Sequence, residues 1–202
     1  MSQEKLIQAS KDLFLRYGIK SVSMDDIARH LGVSKKTIYQ YVDNKKHLID
    51  QVFCQHIQFE EEVISNIISN SKDAIDELIQ VADFVMAFLK ILKPSLVYDL
   101  RKYHKDTWQM METKHFQFIK NTMYNNLIRG MKEGLYRDNI EPDLVMTVYM
   151  IKMNYMINNP IDISKEYNLA TIYKEVISQH MYGVITKDTY DILEQYLQKL
   201  NL

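Results

Sequence analysis

The chain has 202 residues, a formal net charge of −1 and 47% hydrophobic residues, with one cysteine, five glycines and three prolines. The lone Cys54 excludes an internal disulfide and fits a reducing compartment, and so few turn residues leave little room for a sheet protein. Charges interrupt every long apolar run, as Asp83 and Lys90 do between Val81 and Leu92, so no stretch approaches the ~18 apolar residues of a membrane span.

Leu, Ile, Met, Lys, Glu and Gln dominate, which favours helix, and the expected fold is all-α with nine to ten helices. The first helix is expected over Gln3–Tyr17, with Leu6, Ile7, Leu13, Phe14 and Tyr17 on one side, and Gly18 ends it. Ser23 and Asp26 form a capping box that opens a second helix, Met24–Leu31. After Gly32-Val33, Ser34 caps a third helix predicted to run through Val42, and Asn44 opens a long fourth, Lys45–Asn70.

Beyond Ser71, helices are expected over Lys72–Leu92, Ser95–Lys105 and Asp106–Lys132, the last stopped by Gly134. Further helices follow at Leu144–Ile157, Leu169–Ile185 and Asp188–Leu200. Asn158-Asn159-Pro160 opens a loop to about Asn168. The start, MSQEKLIQAS, lacks the pattern of a signal sequence, so a cytoplasmic location is expected.

Charge is unevenly spread. Residues 1–50 carry nine Lys/Arg against six Asp/Glu, while the rest of the chain is acidic, an asymmetry that suggests a polyanion-binding head. Two short helices joined by a glycine turn, the second basic, make a helix-turn-helix pattern whose second helix enters the major groove. At about 100° per residue, Ile38 and Val42 share the inner side and Tyr41 leans toward it. Lys36 and Gln40 point away from the core. Lys donates to guanine O6/N7 and Gln pairs with adenine N6/N7, so these two are the expected base readers. Ser34, Lys35, Thr37, Tyr39, Tyr41 and Lys45 complete the expected DNA-binding set, with Thr37, Tyr39 and Lys45 suited to phosphates.

Residues 3–50 closely resemble the DNA-binding domain of the tetracycline-repressor (TetR) family. The resemblance rests on Phe14 and Gly18, Ser23 and Ile27-Ala28, Gly32-Val33-Ser34, Thr37-x-Tyr39-x-Tyr41 and Lys45-x-x-Leu48. Lys36 stands where glycine is frequent, Tyr41 where histidine is usual, Val42 where phenylalanine is usual and Lys46 where glutamate is usual. The operator sequence is therefore not transferable.

The resemblance implies a three-helix head over residues 1–48 and a larger helical domain over 49–202 that binds a small molecule and dimerises. It also implies a transcriptional regulator, a repressor released from a palindromic DNA operator by a small, largely apolar effector. Two later segments, Pro94–His104 with Trp108 and Arg129–Arg137, look like pieces of a TetR subgroup. Phe84, Phe88, Tyr98, Tyr103, Trp108, Met111, Phe116, Phe118, Met123, Tyr149 and Met153 supply aromatic and methionine surface suited to an apolar pocket, although such stripes also build ordinary cores. Val145, Val148, Tyr149, Lys152 and Met156, with Ile172, Tyr173, Val176, Ile177, His180 and Val184, supply two helices for a two-fold seam.

Cys54-x-His56 near Glu60-Glu61-Glu62 is a weak metal pattern, because consecutive carboxylates point around a helix. No phosphate loop, carboxylate pair or nucleophile triad stands out. No cofactor, metal or enzymatic activity is expected.

Overall fold

A computed structural model describes residues 1–159 and 166–199 of the chain. Among the described residues there are ten α-helices: α1 Gln3–Tyr17, α2 Met24–Leu31, α3 Lys35–Ile38, α4 Lys45–Asn70, α5 Ala74–Ile91, α6 Pro94–Tyr103, α7 Lys105–Lys132, α8 Pro142–Asn158, α9 Leu169–Val184 and α10 Tyr190–Lys199. A 3₁₀ turn, Lys187–Thr189, precedes α10. The expected loop before Asn168 falls largely on residues 160–165, and the expected end of the last helix at Leu200 also lies outside the described residues. No described helix is long and apolar enough to cross a membrane.

The chain divides into two compact units, residues 1–60 with 91–115 and residues 61–90 with 116–202. In the first, Ser2 caps α1 by accepting from Lys5 N–H, and Gly18 leaves it at φ 84°. The Ser23–Asp26 capping box opens α2, and Gly32 closes it in the left-handed region at φ 64°, where a Cβ costs about 1 kcal/mol or more. Leu6, Phe14, Ile19, Ile27, Ile38, Leu48 and Ile49 form a core from which water is excluded. Leu96 and Leu100 of α6 belong to it, and Trp108 and Met111 of α7 pack against it.

The third helix is shorter than its sequence pattern predicts. It makes one turn, Lys35–Ile38, and does not continue through Val42. The Tyr41 N–H bonds Ile38 O at 2.9 Å and the Gln40 N–H reaches Thr37 O at 3.4 Å, so the end tightens into 3₁₀ geometry. Asn44 then caps α4, its Oδ1 accepting from His47 N–H at 2.9 Å. One turn has no stability of its own. Burial of Ile38 and Val42, 0% and 2% exposed, holds it in place.

In the second unit the segment after α7 is locked by Tyr136, 1% exposed. Its hydroxyl sits 2.9 Å from Asn126 Oδ1 and 3.1 Å from Ala74 O. Asn126 donates in turn to Ala74 O and to Glu77 Oε1. Arg129 binds Glu77 and Glu133, each at 2.7 Å, and also the Ser71 hydroxyl. The glycine pair of this segment has two separate jobs. Gly130 lies directly beneath the Tyr136 ring, whereas Gly134, at φ 72°, ends α7.

Candidate nucleic-acid interface

The single turn of α3 and the residues on either side of it carry most of the residues expected to meet DNA. Lys36 and Gln40 are exposed, and Tyr39 is 45% exposed beside them. Ile38 and Val42 are buried, while Lys36 and Gln40 of the same stretch are exposed. Ser34 accepts from Thr37 N–H at 3.1 Å and its hydroxyl lies 2.8 Å from Thr37 Oγ1, so both hydroxyls are held at the entrance of α3.

Lys35 pairs with Asp25 of α2 at 2.9 Å, with both side chains largely exposed. Asp25 beside it raises the Lys35 pKa. An exposed pair of this kind contributes little to stability and leaves the lysine able to exchange partners. The Tyr41 ring packs against the core while its hydroxyl donates to Met1 O.

Lys45 is placed differently from a free phosphate ligand. It is half-buried and its ammonium donates to Ile19 O at 2.6 Å. Burial lowers its pKa, with Asp99 and Asp26 opposing. One of three N–H donors is thereby used. The bond ties the start of α4 to the α1–α2 turn. Sequence reasoning missed Lys20 in that turn, whose only signal was a cation three residues ahead of the Ser23 cap.

The residues expected to line a pocket divide between the units. Tyr98 and Tyr103, 42% and 48% exposed, lie on the surface of α6, and Trp108 and Met111 serve the first core. Phe84 and Phe88 of α5, Phe118 and Met123 of α7, and Tyr149 and Met153 of α8 belong to the second unit, with Met123, Tyr149 and Met153 buried.

α8 and α9 border a groove of about 320 Å³ lined by Leu144, Val145, Val148, Tyr149, Lys152, Val176, Gln179, His180, Gly183 and Val184. Seven of the expected seam residues therefore share it: Val145, Val148, Tyr149, Lys152, Val176, His180 and Val184. Tyr149 was also expected in the pocket. Met156 and Tyr173 are buried inside their own unit, and Ile172 is half-buried.

Leu144, Val148, Ile151 and Tyr155 form an exposed apolar stripe along α8, at 62%, 48%, 63% and 63%. Their spacing of four, three and four residues was readable in the sequence, yet of the four only Val148 was expected at the seam. His180 packs on the Tyr149 ring, centroids 5.1 Å apart. Burial, with Lys152 adding to it, pushes its pKa down to about 4, so the imidazole is neutral at pH 7.

Around His56 the geometry is a buried polar contact and not a chelate. Its Nδ1 lies 3.2 Å from Lys11 Nζ and its Nε2 3.8 Å from Glu60. Burial first, and then Lys11, lower its pKa to about 3. Among the described residues no three His, Cys, Asp or Glu side chains converge as a metal site.

Residues 6–52 match the family model for bacterial regulatory proteins, tetR family. Over 174 residues, 85% of this chain and 90% of the relative, the chain is 24% identical to the HTH-type transcriptional regulator YvaF of Bacillus subtilis. Its fold matches FadR of Bacillus subtilis, solved with stearoyl-CoA, at TM-score 0.66 and 18% identity, covering 90% of this chain and 99% of that one. It also matches SmeT, the repressor of the SmeDEF multidrug efflux pump of Stenotrophomonas maltophilia, at TM-score 0.70 and 13% identity, covering 94% and 93%. Residues 6–52 are therefore a helix-turn-helix domain of the kind found in bacterial regulatory proteins of the tetR family, and the chain as a whole is similar in sequence and fold to transcriptional regulators.

Proposed function

We propose that the chain is a cytoplasmic homodimeric repressor that holds a palindromic operator and leaves it when a small, largely apolar effector binds. Residues 1–48 form the DNA-binding head and residues 49–202 the effector-binding and dimerising part. The observation that carries the reading is the exposure of both Lys36 and Gln40 around a turn whose Ile38 is fully buried. Such a turn offers a long cation and an amide to base edges from a rigid base.

Dimerisation runs through the exposed stripe of α8 with the neighbouring face of α9, where Val145, Val148, Lys152, Val176 and His180 border one groove. An isologous contact of this kind gives two reading turns related by a two-fold axis, which a palindrome requires. The effector site draws on Phe84, Phe88, Phe118, Met123, Tyr149 and Met153. Proteins of this fold include one solved with stearoyl-CoA and one that represses a drug-efflux pump, which fits a large apolar ligand. α4, an unbroken helix that supplies residues to both units, carries the coupling. A linkage of ~1–3 kcal/mol suffices for release.

Stoichiometry tests this reading. Sedimentation of the free chain at micromolar concentration should return twice the mass of one chain, and titration onto its preferred duplex should saturate at two chains per site. A species with the mass of a single chain, bound one per duplex, contradicts it.

A further inference from the structure

The α1–α2 turn and the second half of α6 together build a surface that the reading face does not use. The Lys20 N–H donates to the Asp99 carboxylate at 3.0 Å, and Asp99 is itself only 8% exposed. The Lys20 ammonium lies over the Tyr103 ring, 5.3 Å from its centroid. Lys102 donates to the Tyr98 hydroxyl at 2.6 Å and stands over both rings, 5.1 Å from Tyr98 and 5.4 Å from Tyr103. The Tyr98 hydroxyl raises the Lys102 pKa. Lys105, two residues after Tyr103, is exposed as well.

Two features set this shelf apart from an ordinary solvated face. Two lysines of the same unit take carboxylates, Lys35 with Asp25 and Lys46 with Asp50 and Asp106. Lys20, Lys102 and Lys105 form no ion pair among the described residues. Their neighbour Asp99 spends its carboxylate on the Lys20 backbone. In addition, two aromatic rings fix Lys20 and Lys102, so less side-chain freedom is lost on meeting an anion. Tyr98 accepts from Lys102 and keeps its own O–H to donate.

The charge of the whole unit agrees. It carries fourteen Lys/Arg against ten Asp/Glu, and the second unit eleven against sixteen.

We propose that this shelf, Lys20 with Tyr98, Lys102, Tyr103 and Lys105, binds DNA phosphates flanking the base-read half-site. The location argues for DNA over another polyanion. Lys20 sits three residues before the N-cap of α2, the helix that crosses the backbone in a helix-turn-helix, and the Lys45 bond to Ile19 O pins this same turn to the start of α4. Phosphate contacts position the protein without reading sequence. The shelf therefore adds affinity and length to the footprint and leaves base preference alone. The proposal rests on the DNA-binding reading above.

The test compares the full-length chain with Lys20→Gln/Lys102→Gln and with a control, Lys72→Gln/Lys120→Gln in the second unit. Each binds its selected site on a duplex with ten flanking base pairs per side and on one trimmed to the half-sites, across a range of potassium chloride. The expected result is a salt slope lower by about one per lysine removed in each bound chain on the flanked duplex. On the trimmed duplex the variant and native chain bind equally, and the control matches the native chain throughout. Equal slopes on the flanked duplex for all three proteins overturn the proposal. So does a shelf variant that binds the flanked duplex like the native chain yet loses binding of tripolyphosphate, because the shelf then serves a soluble anion. If the native chain binds no duplex selectively, the DNA-binding reading itself fails, which is a separate outcome. Both lysines are exposed, and matching circular dichroism melts exclude unfolding as the cause.

Discussion

Gly130→Ala is expected to destabilise the second unit by about 1–3 kcal/mol, the range for an added buried carbon in a well-packed site. A Cβ at Gly130 would lie 2.2, 2.4 and 2.5 Å from three carbons of the Tyr136 ring. The ring has nowhere to go, since its hydroxyl is held between Asn126 and Ala74 and the following residue, Arg137, bonds Val184 O through its N–H at 2.8 Å. In an open helix the same change would stabilise by ~1 kcal/mol, so the sign itself is diagnostic. Urea midpoints measured in the native and Tyr136→Ala backgrounds separate the two effects. The loss should be present in the first and should vanish or reverse in the second. A stabilised Gly130→Ala in the native background would refute the packing described for this segment.

Ile38→Ala is expected to cost about 2–5 kcal/mol, the range for a fully buried aliphatic side chain, and Ile38→Val only ~0.5–1.5 kcal/mol. Ile38 is 0% exposed and sits at the end of a four-residue helix that a Ser34 cap alone cannot hold. The loss should therefore reach function as well as folding. Affinity should drop on every duplex alike, because the whole reading turn loosens. Chemical denaturation together with binding to specific and non-specific duplexes checks this. An Ile38→Ala chain with native stability would mean the turn is held by something else.

These two sites show where sequence was sufficient and where it was not. The end of α1, both ends of α2 and the start of α4 were readable because Gly18, Ser23 with Asp26, Gly32 and Asn44 are local capping signals whose chemistry decides the boundary. The end of α3 has no such signal. Tertiary burial of Val42 and the tight Gln40–Tyr41 turn set it, and a regular helical wheel misses both. Lys36 and Gln40 are exposed all the same, and Ile38 and Val42 are the buried residues of this stretch.

Aromatic residues were harder to place. Tyr98 and Tyr103 match the composition of an apolar pocket, but a tyrosine has an apolar ring and a polar tip and serves equally well on a surface beside lysines. Their neighbours across the chain, Lys20 above all, decide the matter, and those contacts link positions far apart in sequence. On α8, helical spacing marks an apolar face without saying whether the chain itself covers it. Met156 is covered within its own unit, and Ile151 and Tyr155 are exposed.

Selection of bound duplexes from random DNA, run in parallel with the native chain, Lys36→Ala and Gln40→Ala, tests the reading face most directly. The native chain should enrich an inverted repeat whose half-site centres lie about one helical turn apart or slightly more. Each variant should lose preference at one base position per half-site, with affinity for the native site reduced by ~1–3 kcal/mol per contact. An identical preferred sequence from all three proteins would contradict the assignment of these two side chains as the base readers.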